Sequence, residues 1–162
     1  GQAVAQMARS FGMQILIAAR PGSKGPVPQG RIPLAQLLRE ADIVSLHCPL
    51  TPETRSLINA QGLGLMKPTA FLINTARGAL VDEAALIDAL RKKQIAGAAL
   101  DVITQEPPPS DHPMIRAAKE LDHLIVTPHT AWSARETREH LLQEVEKNIS
   151  AFLQGRDRNR VA

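Results

Sequence analysis

Short apolar runs separated by amphipathic stretches dominate the hydrophobic pattern of this 162-residue chain. Five of these runs have the length of buried strands, and polar or turn-forming residues bound each one. They cover residues 15–18, 43–46, 70–73, 96–100 and 124–126. Helical spacing of apolar positions fills the intervals between them. Because strands that alternate with helices form βαβ units, the pattern predicts a doubly wound α/β fold with a parallel sheet and helices on both faces.

Capping residues indicate where several helices begin. Asp82 is a good N-cap for a predicted helix over 83–92, and Thr51 followed by Pro52 indicates a further helix start. Ser133 is expected to cap a long helix that runs to about residue 154. The apolar face of this last helix is expected to lie in the core, although a resemblance described below also implies some exposed apolar surface. The face consists of Leu141, Leu142, Val145, Ile149 and Phe152, and the other predicted helices cover 2–11, 34–40 and 59–66.

Composition narrows the class of protein. Hydrophobic residues make up 44% and charged residues 22% of the chain, which is typical of a globular domain, and the net charge is +3. Aromatic residues make up only 2%, which argues against a nucleic-acid module built on base stacking. No apolar run approaches the roughly 20 residues of a membrane span. Cys48 is the only cysteine, so no internal disulfide forms, and the chain is expected to be a cytoplasmic protein.

Three chemically capable side chains follow predicted strands. Arg77 comes after the run 70–73, Glu106 lies five residues beyond Asp101, and His129 follows the run 124–126. The carboxyl ends of parallel strands meet over one crevice, so a shared site is expected there. Histidine can transfer a proton near neutral pH, a carboxylate can orient it, and arginine can hold an anionic substrate. Each residue alone has an ordinary structural explanation, but the set favours a catalytic site.

Four motifs around these residues resemble one enzyme family. The motifs are LHCPLTPETRSLI at 46–58, NTARGALVD at 74–82, DVITQEPPP at 101–109 and TPHTAW at 127–132. In this order and spacing they are similar to the D-isomer-specific 2-hydroxyacid dehydrogenases, and most of all to the hydroxypyruvate/glyoxylate reductase and glycerate dehydrogenase branch. The resemblance covers nearly all of the chain.

The resemblance implies a Rossmann-like domain that binds NAD(P) in an enzyme reducing small 2-keto acids to D-2-hydroxy acids. His129 would be the acid/base that protonates the keto oxygen, and Glu106 would hydrogen-bond His129. Arg77 would bind the substrate carboxylate and polarise the carbonyl. By the same resemblance, the cofactor would contact Gly1, Arg20, Cys48, Pro49, Thr54, Thr75, Ala76, Arg77, Asp101, His129, Ala131 and Trp132. Cys48 is expected to line this site as a small apolar residue, and the histidines show no metal-ligand spacing.

The family's glycine-rich turn has the form G-x-G-x-x-G-x-x-V-A, and only its end is present, as residues 1–5. We therefore expect a sheet without its first strand and a chain without the substrate domain. An incomplete NAD(P)-binding domain would cover 1–155 and a polar tail 156–162. A homodimer is expected to cover the surface that the missing strand would leave exposed.

The sequence also differs from the family pattern at a position that affects the choice of cofactor. The family pattern places an acidic residue for the adenosine ribose near position 19, where this chain has Ala19 followed by Arg20. Because a carboxylate that would repel a 2′-phosphate is missing and a cation is present, NADP(H) is predicted over NAD(H). The alternative is that Arg20 is a solvated loop residue.

Two kinds of function remain open at this stage. The complete set of Arg77, Glu106 and His129 favours a reductase of small 2-keto acids. A dinucleotide-binding or regulatory module without turnover is the alternative, favoured by the expected lack of a substrate domain. The sequence does not distinguish one keto acid from another.

Overall fold

A four-stranded parallel sheet forms the centre of the chain in the computed structural model, which describes residues 1–22 and 25–160. The strands follow one another across the sheet in chain order: β1 (Ile43–Leu46), β2 (Phe71–Asn74), β3 (Gly97–Leu100) and β4 (Leu124–Val126). The α-helices of the described residues are α1 (Gln2–Ser10), α2 (Leu34–Glu40), α3 (Ala60–Leu65), α4 (Glu83–Arg91), α5 (Pro113–Glu120) and α6 (Arg135–Leu153). The α/β fold with a parallel sheet is therefore confirmed.

Residues 1–128 and 129–162 form two compact units. The first unit contains the sheet and α1 to α5, and the second contains α6. The predicted division into a domain over 1–155 and a tail over 156–162 stays a prediction, and Val161 and Ala162 lie outside the described residues.

Alternate strand positions form the core of the first unit. Val44, Leu72 and Leu124 are buried in one cluster with Leu86 and other apolar side chains from α2 to α5. The intervening positions point to the opposite face of the sheet, as the period of two in a strand requires. That face carries large exposed side chains, which are Ile43, Phe71 and Ile125. The buried face holds the strand ends at a fixed register, and these ends carry the candidate site.

Two of the helices that border the site begin at a side-chain cap. The side chain of Asp82 accepts the backbone N–H of Ala85 at 3.0 Å, as predicted, so α4 begins where its sequence indicates. Asn59 accepts the N–H of Gly62 at 3.0 Å and starts α3 in the same way. These caps satisfy donors that a helix end would otherwise leave unpaired.

The strand predicted over 15–18 is wrong. Ala18 makes a single isolated bridge with Ile32, through hydrogen bonds of 2.8 Å from Ala19 N to Ile32 O and 2.9 Å from Ile32 N to Ile17 O. An apolar run forms a β-strand only where a second segment pairs with it over several residues. This run pairs with its neighbouring segment at one bridge only. It is extended chain that leads to Arg20.

The helix predicted from Thr51 is also wrong, because residues 52–56 form successive turns. The hydroxyl of Thr54 accepts the N–H of Thr51 at 2.7 Å and donates to the carbonyl of Pro49 at 2.8 Å, so it closes the turn locally. Ser56 then has φ +50°, a left-handed conformation that interrupts helical propagation.

The ends of α5 and α6 also depart from expectation. Ser133 does not cap α6: its hydroxyl donates to the carbonyl of Thr130 at 2.7 Å, and the helix begins after Ala134. The α5 helix was not anticipated, and it starts after His112 with Pro113 in its first turn. The five apolar residues expected to face the core on α6 are all exposed, from 46% for Val145 to 82% for Phe152.

Within the described part of the chain, no helix is both long and apolar enough to span a membrane.

Candidate active site

A cleft of about 410 Å³ opens beyond the carboxyl ends of β1 and β2. Its lining residues are His47, Cys48, Pro49, Leu50, Ala76 and Arg77. Open α/β sheets place their ligands beyond the carboxyl ends of the strands, so the position of this cleft is that of a ligand site.

The turn that carries Arg77 is shaped by Asn74, which is completely buried at the end of β2. Its side-chain amide donates to the carbonyl of Arg77 at 2.9 Å, and its side-chain oxygen accepts the N–H of Ala76 at 3.0 Å. Both halves of the amide are used, so the backbone from 74 to 77 is held as a compact turn.

The guanidinium of Arg77 lies at the exposed side of this turn. Its Nη1 donates to the carbonyl of Ala76 at 2.6 Å, which anchors the side chain beside the cleft. Within the described ranges 1–22 and 25–160 the guanidinium forms no ion pair. The planar, permanently charged group thus keeps donors for a carboxylate ligand.

The loop that carries Glu106 packs directly against the arginine turn. A Cβ on Gly78 would lie 2.0 Å from the carbonyl carbon of Ile103, so the two backbones touch where glycine stands. Glu106 Oε1 accepts the N–H of Ile103 at 2.9 Å, which fixes its carboxylate to the same loop. The structure therefore brings the elements that carry Arg77 and Glu106 into contact.

Asp101 is a buried residue at the start of this loop. Its N–H donates to the carbonyl of Asn74 at 2.9 Å, and its carboxylate accepts the hydroxyl of Thr127 at 2.5 Å. These bonds link the ends of β2, β3 and β4. Asp101 therefore has a structural role in the first unit, because it links the strand ends. Its contact with a cofactor stays a prediction.

His129 opens the second unit and has φ +53°. Few non-glycine residues adopt this left-handed conformation, and such positions concentrate at functional sites. The turn after it is closed by a hydrogen bond of 2.9 Å from Ser133 N to Thr130 O, and Ala131 and Trp132 are exposed along it. The catalytic assignment of His129 stays a prediction.

The other residues predicted to contact a cofactor occupy three positions in the first unit. Cys48 and Pro49 line the cleft, with Thr54 buried behind them in its turn. Thr75 is exposed in the arginine turn, and Arg20 is exposed beyond the bridge at Ala18.

The start of α1 fits a dinucleotide. Gly1 is the N-cap of this nine-residue helix, and a Cβ on it would lie 3.1 Å from the Cβ of His47 beside the cleft. Helix N-termini bind phosphate through free N–H groups, and a missing side chain allows close approach. These features of α1 suit a dinucleotide, and the contact of Gly1 with its phosphates stays a prediction.

Burial disfavours the charged forms of the two titratable side chains, other than arginine, that line the cleft. It lowers the pKa of His47 and raises the pKa of the Cys48 thiol, because burial disfavours the charged form of each. A protonated thiol is a poor nucleophile, which agrees with a lining role for Cys48. Arg77 is the permanently charged residue among those that line the cleft.

Three residues that shape the site were not singled out from the sequence as site residues. Asn74 builds the arginine turn, Gly78 allows the contact with Ile103, and Glu83 accepts the N–H of Thr104 at 2.5 Å. An amide at the end of an apolar run is a signal that could have identified Asn74. The contacts of Gly78 and Glu83 join segments far apart in the chain, which spacing alone does not reveal. In the part of the chain that the structure describes, no group of three or more His, Cys, Asp or Glu residues could hold a metal ion.

Residues 1–131 match the family described as "D-isomer specific 2-hydroxyacid dehydrogenase, NAD binding domain". The chain belongs to this family. The predicted resemblance and the Rossmann-like nucleotide-binding fold are thereby confirmed. The match includes Arg77, Glu106 and His129 within its bounds.

Similar proteins are dehydrogenases and reductases by name. A glycerate dehydrogenase of Methylorubrum extorquens is 42% identical over 160 residues, which is 98% of this chain and 48% of that protein. A D-isomer specific 2-hydroxyacid dehydrogenase of Lactobacillus delbrueckii, solved with NAD, has a TM-score of 0.86 at 28% identity, over 100% of this chain and 52% of that one.

An NADPH-dependent glyoxylate/hydroxypyruvate reductase of Sinorhizobium meliloti, solved with NADP and malonate, has a TM-score of 0.81 at 32% identity. The alignment covers 94% of this chain and 46% of that one. The chain thus spans about half the length of the relatives it matches. Those relatives include complexes with both NAD and NADP.

Proposed function

We propose that this chain supplies the cofactor side of an enzyme that reduces a small 2-keto acid of the glyoxylate or hydroxypyruvate type to the D-2-hydroxy acid. The observation that carries the proposal is the turn of Arg77, held by buried Asn74 beside a ligand-sized cleft at the strand ends. The names of the relatives point to the same substrates, since they include glycerate dehydrogenase, glyoxylate reductase and hydroxypyruvate reductase.

Arg77 binds the substrate in this proposal. Its guanidinium pairs with the keto-acid carboxylate and polarises the neighbouring carbonyl, because a planar fork of N–H donors matches two oxygens at once. The nicotinamide cofactor, when bound, supplies the hydride that adds to the carbonyl carbon. Cys48, Pro49 and Ala76 provide an apolar wall along the cleft that limits water near the reacting atoms.

His129 donates the proton that the carbonyl oxygen needs as hydride arrives. Histidine suits this task because its ordinary pKa lies near neutrality. Glu106 is proposed to accept a hydrogen bond from the imidazole and so to orient it. The place of both residues in the family motifs and the left-handed backbone of His129 support these roles.

We also propose that NADP(H) is preferred over NAD(H). Arg20 is exposed just beyond the extended run, and Ala19 stands where an acidic residue would repel a 2′-phosphate. An exposed guanidinium next to a neutral residue favours a phosphate dianion through charge-assisted hydrogen bonds.

A homodimer is the proposed assembly. Large apolar side chains are exposed on α1, at its C-cap residue and on α6, including Met7, Phe11, Leu142 and Phe152. Exposed apolar surface of this kind marks interaction sites on soluble proteins. Sedimentation equilibrium tests the assembly directly, and a monomer at micromolar concentration would contradict it.

The first experiment is a fluorescence titration of the chain with NADPH and then NADH, followed by addition of glyoxylate or hydroxypyruvate. Tighter binding of NADPH with slow oxidation supports both the reaction and the cofactor preference. Binding without oxidation favours a dinucleotide-binding module without turnover.

An Arg20→Ala variant isolates the cofactor preference, and Arg39→Ala serves as its control because Arg39 lies on the exposed side of α2. Loss of one charge-assisted bond predicts roughly a 10- to 100-fold weaker binding of NADPH with little change for NADH. An unchanged ratio of the two affinities in Arg20→Ala would contradict the preference.

A further inference from the structure

A carboxylate–histidine pair lies next to the loop of Glu106, within the first unit. Glu83 is the first residue of α4, and His112 is the N-cap residue of α5. Glu83 Oε2 lies 3.8 Å from His112 Nε2, and their side chains are only 16% and 8% exposed. No motif in the sequence marked either residue as part of a site.

Glu83 also holds the loop itself. Its Oε1 accepts the N–H of Thr104 at 2.5 Å, while the preceding N–H, of Ile103, is accepted by Glu106 at 2.9 Å. Two successive amides of the loop are thus bound by two different carboxylates. One of these carboxylates is the candidate partner of the catalytic histidine.

His112 is oriented toward Glu83 by its other ring nitrogen. Nδ1 accepts the N–H of Met114 at 3.2 Å, so in the neutral ring the proton is carried by Nε2, on the side of Glu83. At 3.8 Å the separation is too long for a hydrogen bond, and the two groups form an ion pair only when His112 is protonated. The buried ring of His112 lies beside the carboxylate of Glu83 and limits the space open to it.

We propose that Glu83, oriented by His112, is a positioning residue that sets the geometry of Glu106 through the amide of Thr104. The proposal rests on the assignment of Glu106 in the proposed reaction. A competing explanation is that Glu83 only stabilises α4, because an acidic residue in a first turn interacts favourably with the helix dipole.

Two substitutions of Glu83 separate these explanations. Glu83→Gln removes the charge but keeps a side-chain oxygen that can accept the N–H of Thr104, whereas Glu83→Ala removes both. If Glu83 holds the loop, amide hydrogen exchange at Thr104 is at least tenfold faster in the alanine variant, and the glutamine variant restores most of the protection. Equal acceleration in both variants, or none in either, would overturn the proposal.

Glu136→Ala is the matched control, because Glu136 is the acidic residue in the first turn of α6. It should leave exchange at Thr104 unchanged. His112→Asn keeps a side chain able to cap α5 but too short to reach Glu83, and it should accelerate exchange at Thr104 by a smaller factor than Glu83→Ala. Unchanged exchange in that variant would remove His112 from the proposal.

Steady-state kinetics then test the link to catalysis. With NADPH and hydroxypyruvate, Glu83→Ala should lower kcat while the KM for NADPH stays the same, and Glu83→Gln should restore most of kcat. A change confined to KM would contradict a part in positioning Glu106. Lack of turnover by the unmodified chain would count against the proposed reaction alone, because the exchange measurement needs no substrate.

Discussion

Gly78 and Ile103 touch backbone to backbone, so closely that a Cβ on the glycine would also lie 2.2 Å from the carbonyl oxygen of Ile103. Gly78 directly follows Arg77, and Ile103 donates its N–H to Glu106. The contact therefore joins the two loops that carry the candidate substrate-binding and histidine-orienting groups. Their relative position depends on the absence of one methyl group.

Gly78→Ala should destabilise the chain, because the added methyl group meets backbone atoms that cannot turn aside. Overpacking of this kind costs about 1–3 kcal/mol in free energy of unfolding. Urea unfolding followed by circular dichroism measures the change. Gly64→Ala is the control, since an added Cβ there would meet no described atom within 4 Å beyond the neighbouring residues and the backbone of its own helix, and alanine is favoured inside α3. A Gly78→Ala variant as stable as this control would contradict the contact.

Asn74→Asp should loosen the arginine turn in a way that depends on pH. An ionised aspartate can still accept the N–H of Ala76 but cannot donate to the carbonyl of Arg77, so two oxygens face each other in a buried site. We expect a loss of about 1–3 kcal/mol at pH 7 relative to the unmodified chain.

The loss in Asn74→Asp should shrink at acid pH, because a protonated carboxyl group regains a donor. Urea unfolding of both chains at pH 7 and pH 4 gives the difference directly. A difference that is the same at the two pH values would indicate that the amide donor of Asn74 contributes nothing.

Arg77→Gln should impair use of the keto acid while leaving the fold intact. A hydrogen bond to a charged group contributes about 1.5–3 kcal/mol, so kcat/KM should fall roughly 10- to 100-fold. The unfolding free energy should change by less than about 0.5 kcal/mol, since the side chain is exposed. Arg39→Gln is the control for a lost surface charge. Equal activity of the two variants would exclude Arg77 from substrate binding.

Cys48 should react slowly with iodoacetamide in the folded chain. Burial raises the pKa of its thiol, so at a given pH near 8 less thiolate is present than in the unfolded chain, and the gap closes as pH rises. Mass spectrometry follows the reaction at this single cysteine. Added NADPH should slow it further, because Cys48 lines the cleft; equal rates in folded and urea-unfolded chains would contradict the burial.

Local signals predicted most of the fold. Short apolar runs predicted the strands at 43–46 and 124–126. A single polar side chain, Asp82, predicted the start of α4. The strand expected at 15–18 failed because pairing depends on what lies beside a run. The helix expected at Thr51 failed because one hydroxyl closes the turn first.

The site shows the same division between local and distant information. Arg77 and the cleft residues Cys48 and Pro49 could be predicted, because they follow strand ends and stand within motifs. The contacts of Glu83 with Thr104 and His112 could not, because they join residues separated by more than 20 positions. Motifs identify reacting groups, whereas tertiary contacts determine where those groups are held.

The contact between Gly78 and Ile103 has a consequence for exchange of segments between relatives. A chimaera whose junction falls between these residues takes the two contacting loops from different proteins, so their surfaces need not be complementary. Junctions placed before β2 and after Glu106 instead transfer the strand, α4, β3 and both loops as one block with its interior matched. We therefore expect recombination to be tolerated at the borders of this block far more often than within it.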